Sequence, residues 1–210
     1  MSDNATALVP VDLSQLPSVQ LGSDEDFAEI AKSSDFLGRL QLYTKGKAVN
    51  RKLVSPGNYG IPESDEQVID LGDTIDILPL ARRPKAIDMS DPDAVIAVYD
   101  TKNSEFQRIQ AKAAEKESHC MYGPSFLVYE RSTGRFLELF CGSKSARGEA
   151  KKLFAYLPLT PTAIEAMKKR GEDVSNLQPH GPVPVTMTSK LVEKGSFSWH
   201  VPVVGKCSTP

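Results

Sequence analysis

Residues 126–157 constrain the fold more than any other stretch of the chain. Residues 126–130 read as a strand, and Arg131-Ser132-Thr133-Gly134 as a hairpin turn in which glycine supplies a positive φ. Residues 135–140 read as the return strand. Gly142-Ser143-Lys144-Ser145 then opens a helix over about 146–157, with Ala146, Ala150, Leu153, Phe154 and Leu157 as its buried stripe and Pro158 as its stop. An antiparallel hairpin followed by a one-sided helix calls for a sheet with a helix capping it.

The rest of the pattern agrees. Residues 37–43, 68–71, 74–80 and 94–99 carry strand periodicity, and residues 183–191 and 196–204 flank Glu193-Lys194-Gly195 as a terminal hairpin. A helix fits 104–116, with Phe106, Ile109 and Ala113 on one face. Residues 158–180 read as an inserted loop with a short helix around 162–169. Residues 1–35 read as a flexible acidic arm, interrupted by Pro10 and Pro17, with a short helix near 24–32 capped by Ser23. The fold class expected is mainly β with two or three helices (α+β), and the architecture an OB-like Greek-key barrel with elaborated loops over residues 36–210.

Charge is unevenly placed. The net charge is −2, yet residues 39–60 hold Arg39, Lys45, Lys47, Arg51 and Lys52 with Tyr43 and Tyr59 and no acid. Residues 1–38 carry seven acids against Lys32. Cations track phosphates and aromatic faces stack on bases, so the basic segment has the chemistry of a single-stranded nucleic-acid groove; the plainer reading is a solvated hairpin. Arg82, Arg83 and Lys85 form a second basic group after an apolar run, and alternation sends Arg82 and Arg83 to opposite faces. One of them can pair with an acid such as Asp76 or Asp88, or the group can blunt an edge strand. Lys144, Arg147 and Lys151 follow helical steps and extend the track, unless they are simply a solvated helix face. Among the aromatics, Tyr59 and Trp199 are the best stacking residues, with Tyr43 beside them.

Other chemistry finds little support. Gly142-Ser143-Lys144-Ser145 lacks the spacing of a phosphate loop, because Ser143 separates the glycine from the lysine. Three cysteines suggest free thiols in a reducing compartment, hence a cytoplasmic protein. A zinc set of Cys120, Cys141, His200 and Cys207 is the weaker alternative to Cys141 as a small buried hydrophobe and Cys207 as a tail thiol. No nucleophile–base grouping is recognisable, so no catalytic residue, cofactor or enzymatic activity is expected. No apolar run of about 18 residues marks a membrane span, and the opening Met1-Ser2-Asp3-Asn4 does not read as a secretory signal.

Four stretches resemble a set of small replication-associated proteins of tailed bacterial viruses. They are Ala81-Arg82-Arg83-Pro84-Lys85-Ala86-Ile87-Asp88, Cys120-Met121-Tyr122-Gly123-Pro124-Ser125-Phe126-Leu127, Gly142-Ser143-Lys144-Ser145-Ala146-Arg147 and Trp199-His200-Val201-Pro202-Val203. The resemblance implies a bacteriophage single-stranded-DNA-binding protein with an OB-type barrel. Such proteins often end in an acidic tail that recruits partners, whereas this sequence ends Lys206-Cys207-Ser208-Thr209-Pro210 and carries its acids first. The expectation is non-catalytic, largely sequence-independent binding of single-stranded DNA in viral replication or recombination. Replication or recombination proteins would dock on the acidic arm, and self-association is left open. The alternative is a viral structural or interaction protein that binds no nucleic acid and assembles through Phe27, Ile30 and residues 158–180.

Overall fold

A computed structural model describes residues 37–115 and 118–207. The expected acidic arm, and the helix within it, lie outside the described residues. Among the described residues nine strands form one mixed sheet: β1 (Gly38–Leu42), β2 (Tyr59–Ser64), β3 (Gln67–Gly72), β4 (Thr74–Asp88), β5 (Ile96–Val98), β6 (Cys120–Glu130), β7 (Arg135–Phe140), β8 (Val185–Lys194) and β9 (Phe197–Lys206). Their order is β3-β2-β1-β7-β6-β4-β8-β9, with β5 also on β4. β1 and β7 run parallel, and the other pairs are antiparallel. Four helices accompany the sheet among the described residues: α1 (Lys47–Asn50), α2 (Ser104–Lys112), α3 (Lys144–Leu153) and α4 (Pro161–Lys169). A mainly β, α+β class is thus observed, with an additional short helix inside the basic segment.

β4 organises the molecule. It pairs with β6 along its length, with β8 at Thr74–Ile77 and with β5 at Ala86–Asp88. Two prolines fit because of where the flanking ladders stop. Pro79 coincides with a register shift against β6, and Pro84 lies opposite Pro124. A proline pair cannot exchange ladder hydrogen bonds, so each missing N–H must point to the strand's other edge. There β8 has already left β4, and β7 has ended at Phe140. The strand expected over 74–80 therefore runs on through Arg82, Arg83 and Lys85.

The sheet curls strongly. Tyr59 of β2 donates its hydroxyl to the Thr188 carbonyl of β8 at 2.9 Å, joining the two wings of the ladder. On the concave side α3 buries Ala150 and Leu153 against Leu40, Phe126, Val128 and Leu139. Each fully buried leucine, valine or phenylalanine of this set contributes about 1.5–3 kcal/mol. Ser143 caps α3 by accepting from the Ala146 N–H at 3.2 Å, and the helix tightens into a 3-10 turn over Phe154–Tyr156. On the convex side Leu78, Leu80, Ala81 and Leu127 pack with Leu37 and Phe136. α2 is capped by Asn103 and buries Phe106 and Ile109 beside Ala86 and Cys120. α4 lies within the segment expected as an inserted loop, whose ends meet in the bridge Leu159↔His180.

Candidate nucleic-acid interface

Cross-strand register gathers the first half of the site. Arg39 lies opposite Glu138, Leu127 opposite Glu138 and also opposite Ala81, and Arg83 opposite Ser125. Strand alternation therefore puts Arg39, Arg83, Lys85, Ser125 and Glu138 on the convex face. Glu138 is only 7% exposed and Lys85 only 4%. The carboxylate accepts from Lys85 Nζ at 2.5 Å, Ser125 Oγ at 2.7 Å and Arg83 Nη2 at 3.2 Å. Arg83 also lies over the Tyr99 ring, 3.7 Å from its centroid. Burial alone would raise the Glu138 carboxyl, but its Lys85, Ser125 and Arg83 donors outweigh that and hold it below the usual carboxylate range. Burial pulls the Lys85 ammonium below its ordinary value, with Glu138 opposing. Three cations face one carboxylate, so the cluster keeps an excess of positive charge.

A cavity of about 450 Å³ opens beside this cluster. It lies where parallel β1 and β7 end, between the start of α3 and the edge strand β9. Arg39, Lys85 and Glu138 form one wall, with Tyr59 and Met187 in the apolar lining. Trp199 and His200 reach it from β9, and Thr44 and Ser143 also line it. The volume suits a base-sized or nucleotide-sized group, apolar in lining with a few placed polar atoms. Exposed Lys45 follows Thr44, and exposed Lys144 follows Ser143. The loop between β1 and β2 returns to the same place at Gly57, where φ is +90° and a Cβ would sit 2.7 Å from the His200 ring. Only glycine fits that combination.

The structure divides the expected binding residues. Arg39, Lys85, Tyr59 and Trp199 line one cavity, and Lys45 and Lys144 follow its lining residues Thr44 and Ser143. Tyr59 requires a correction: it is 0% exposed and hydrogen-bonded to Thr188, so it is a core residue and cannot stack on a base. Tyr43 is likewise buried, and burial raises its hydroxyl pKa. Lys85 is held against Glu138 instead of facing solvent. Arg83 is tied to the same carboxylate, whereas Asp88, one acid expected to pair with this basic group, binds Arg108 at 2.8 Å. Asp76, the other, accepts from Thr186.

The remaining cations lie elsewhere. Arg82 projects to the opposite face over the Phe154 ring at 4.5 Å, as alternation requires. Arg147 covers Tyr122 and donates to the Tyr122 and Gly142 carbonyls, while Lys151 is exposed farther along α3. Arg51 donates to the Asp65 carbonyl in the β2–β3 turn. Lys47 and Lys52 are exposed on the α1 loop. Lys52 has φ +59°, a left-handed conformation that glycine adopts at less cost.

The alternative zinc set is not assembled: among the described residues no group of three or more His, Cys, Asp or Glu is placed to hold a metal. Cys120 packs with Phe106 and Ile109, and Cys207 lies 3.8 Å from Arg131. Cys141 is a core residue whose thiol burial pushes up to about 12. Sequence reasoning missed Glu138, Ser125 and Tyr99. An acid at the centre of the apolar strand Arg135–Phe140 was the available signal, since a buried carboxylate requires donors. No helix among the described residues is long and apolar enough to cross a membrane. No protein-family model matches the chain, and no curated protein or solved structure matches it.

Proposed function

We propose that this protein binds single-stranded DNA without catalysis and with little regard to sequence, in the replication or recombination of a viral genome. One observation carries the reading: Arg39 and Trp199 line one cavity, and exposed Lys45 and Lys144 directly follow its lining residues Thr44 and Ser143. Arg39 and the two lysines hold phosphates, and Trp199 stacks on a base. Lys85 and Arg83 act from behind, fixed by Glu138, and supply field in place of direct contact. Exposed Lys47 and Lys52, on the same β1–β2 connection as Lys45, extend the phosphate track.

The finer fold reading belongs to this proposal. A curled, largely antiparallel sheet with one parallel pair and a helix on its concave side suits an OB-like Greek-key barrel, although the hydrogen-bonded ladder stays open between β3 and β9. So do the bacteriophage origin, the host cytoplasmic location and the docking of replication proteins on the acidic residues before Gly38.

The test is fluorescence anisotropy of labelled oligothymidine at two salt concentrations. Binding at low salt that weakens steeply at high salt is expected. No binding at low salt removes the reading and leaves the alternative of a viral structural or interaction protein.

A further inference from the structure

We propose that the face of the β8–β9 hairpin that carries Lys190, Phe197 and Trp199 is a second nucleic-acid contact surface, onto which a single strand leaving the cavity continues. This inference rests on the single-strand reading above. The hairpin register pairs Lys194 with Phe197, Val192 with Trp199 and Lys190 with Val201. Alternation therefore puts Phe197, Trp199 and Val201 on one face with Lys190, Val192 and Lys194. Phe197 is 74% exposed, although it is a large hydrophobic side chain. Glu193 alternates to the other face.

Trp199 joins the two surfaces. It lines the cavity, and it also lines a groove with Lys190, Val192, Val201 and residues of α3. The acid in that groove, Glu149, is engaged by Lys152 Nζ at 2.8 Å and by the Val204 N–H at 3.1 Å. Two residues along a strand stand about 6.6 Å apart, nearly twice the ~3.4 Å step of a stacked strand in a duplex. Phe197 and Trp199 thus accept bases that are already unstacked, which selects single strands. Lys190 and Lys194 lie where the phosphates of such a strand would pass.

One end of the β9 edge is poorly suited to adding a strand. The Val204 N–H is already used by Glu149, and Pro202, two residues away on the same edge, has no N–H. Addition of another chain's strand is therefore disfavoured over Pro202–Val204.

The experiment compares full-length wild-type protein with Phe197→Ala and with the double variant Lys190→Glu/Lys194→Glu. Each is titrated with oligothymidine of about 4 and about 12 nucleotides, inside the range of single-strand site sizes. Phe197→Ala is expected to weaken binding of the longer strand roughly tenfold and to leave the shorter one unchanged. The double variant is expected to flatten the salt dependence for the longer strand alone. If wild type binds the longer strand and both variants match it, the hairpin inference fails and the cavity reading stands. If Phe197→Ala instead dissociates an oligomer in light scattering with no change in DNA affinity, the hairpin is a self-association surface and the inference is overturned. If wild type binds neither length, both readings fail together.

Discussion

Two regions of this molecule contain the same residue types and use them differently. Around Glu138, the cations Arg83 and Lys85 are partly or fully buried and held by one carboxylate, with Arg83 lying over the exposed Tyr99 ring. Lys45 and Lys144, which follow cavity-lining residues, and Lys190 and Lys194, on the hairpin with Trp199 and Phe197, are exposed. The difference is one acid at the centre of β7. That buried carboxylate holds Arg83 and Lys85, which then serve the fold, whereas Arg39, opposite it on β1, stays exposed. Cations without such an acid remain available to an external anion.

The largest effect should follow removal of that acid. Glu138→Ala leaves Lys85 buried without its partner and should cost about 3–5 kcal/mol in urea unfolding. Replacing both members, Lys85→Met with Glu138→Gln, should recover most of the loss; an equal loss in the double variant would break the distinction between the regions. Trp199→Ala should act in the opposite sense, lowering single-strand affinity by about 1–3 kcal/mol. Its effect on unfolding should be much smaller than that of Glu138→Ala.

Acid provides a third comparison. The folded-state pKa of Glu138 lies below its ordinary value, so the unfolded chain takes the proton first as pH falls. Its stabilisation is complete above the ordinary glutamate range, about 4.3, and is lost as pH drops from there through the depressed folded value. Thermal melting followed from neutral pH to about 3 should therefore decline less steeply in Glu138→Gln than in wild type. A parallel decline would show that the cluster does not control acid stability.

Tyr59→Phe removes the hydroxyl that joins β2 to β8 and leaves the Thr188 carbonyl without it, for a loss of about 1 kcal/mol in the same unfolding assay. The smallest effect expected is at Lys52. Lys52→Gly relieves its left-handed backbone and should stabilise by about 0.5–1 kcal/mol while slightly weakening DNA binding. A gain in both stability and affinity would remove Lys52 from the binding surface.

Much of the sheet was readable because its strands alternate plainly. The hairpin of β6 and β7 and that of β8 and β9 stand where period-two patterning and the turn residues Gly134 and Gly195 put them. β2 was hidden by Gly60 and Pro62, residues that discourage a strand reading. That omission also misplaced Tyr59, which looks like a loop aromatic until its strand is known. Gly123 and Pro124 concealed the first half of β6 in the same way. The capture of Arg83 and Lys85 by Glu138 joins residues more than fifty positions apart and depends on β6 lying between β4 and β7. Local periodicity carries no such information.

The central claim concerns the exposed half of this comparison, and Trp199 reports on it directly because it is the only tryptophan in the chain. Titration of wild-type protein with unlabelled oligothymidine at low salt, followed by tryptophan emission, should give saturable quenching that is largely reversed by added salt. Emission that stays unchanged across the low-salt titration would contradict the account.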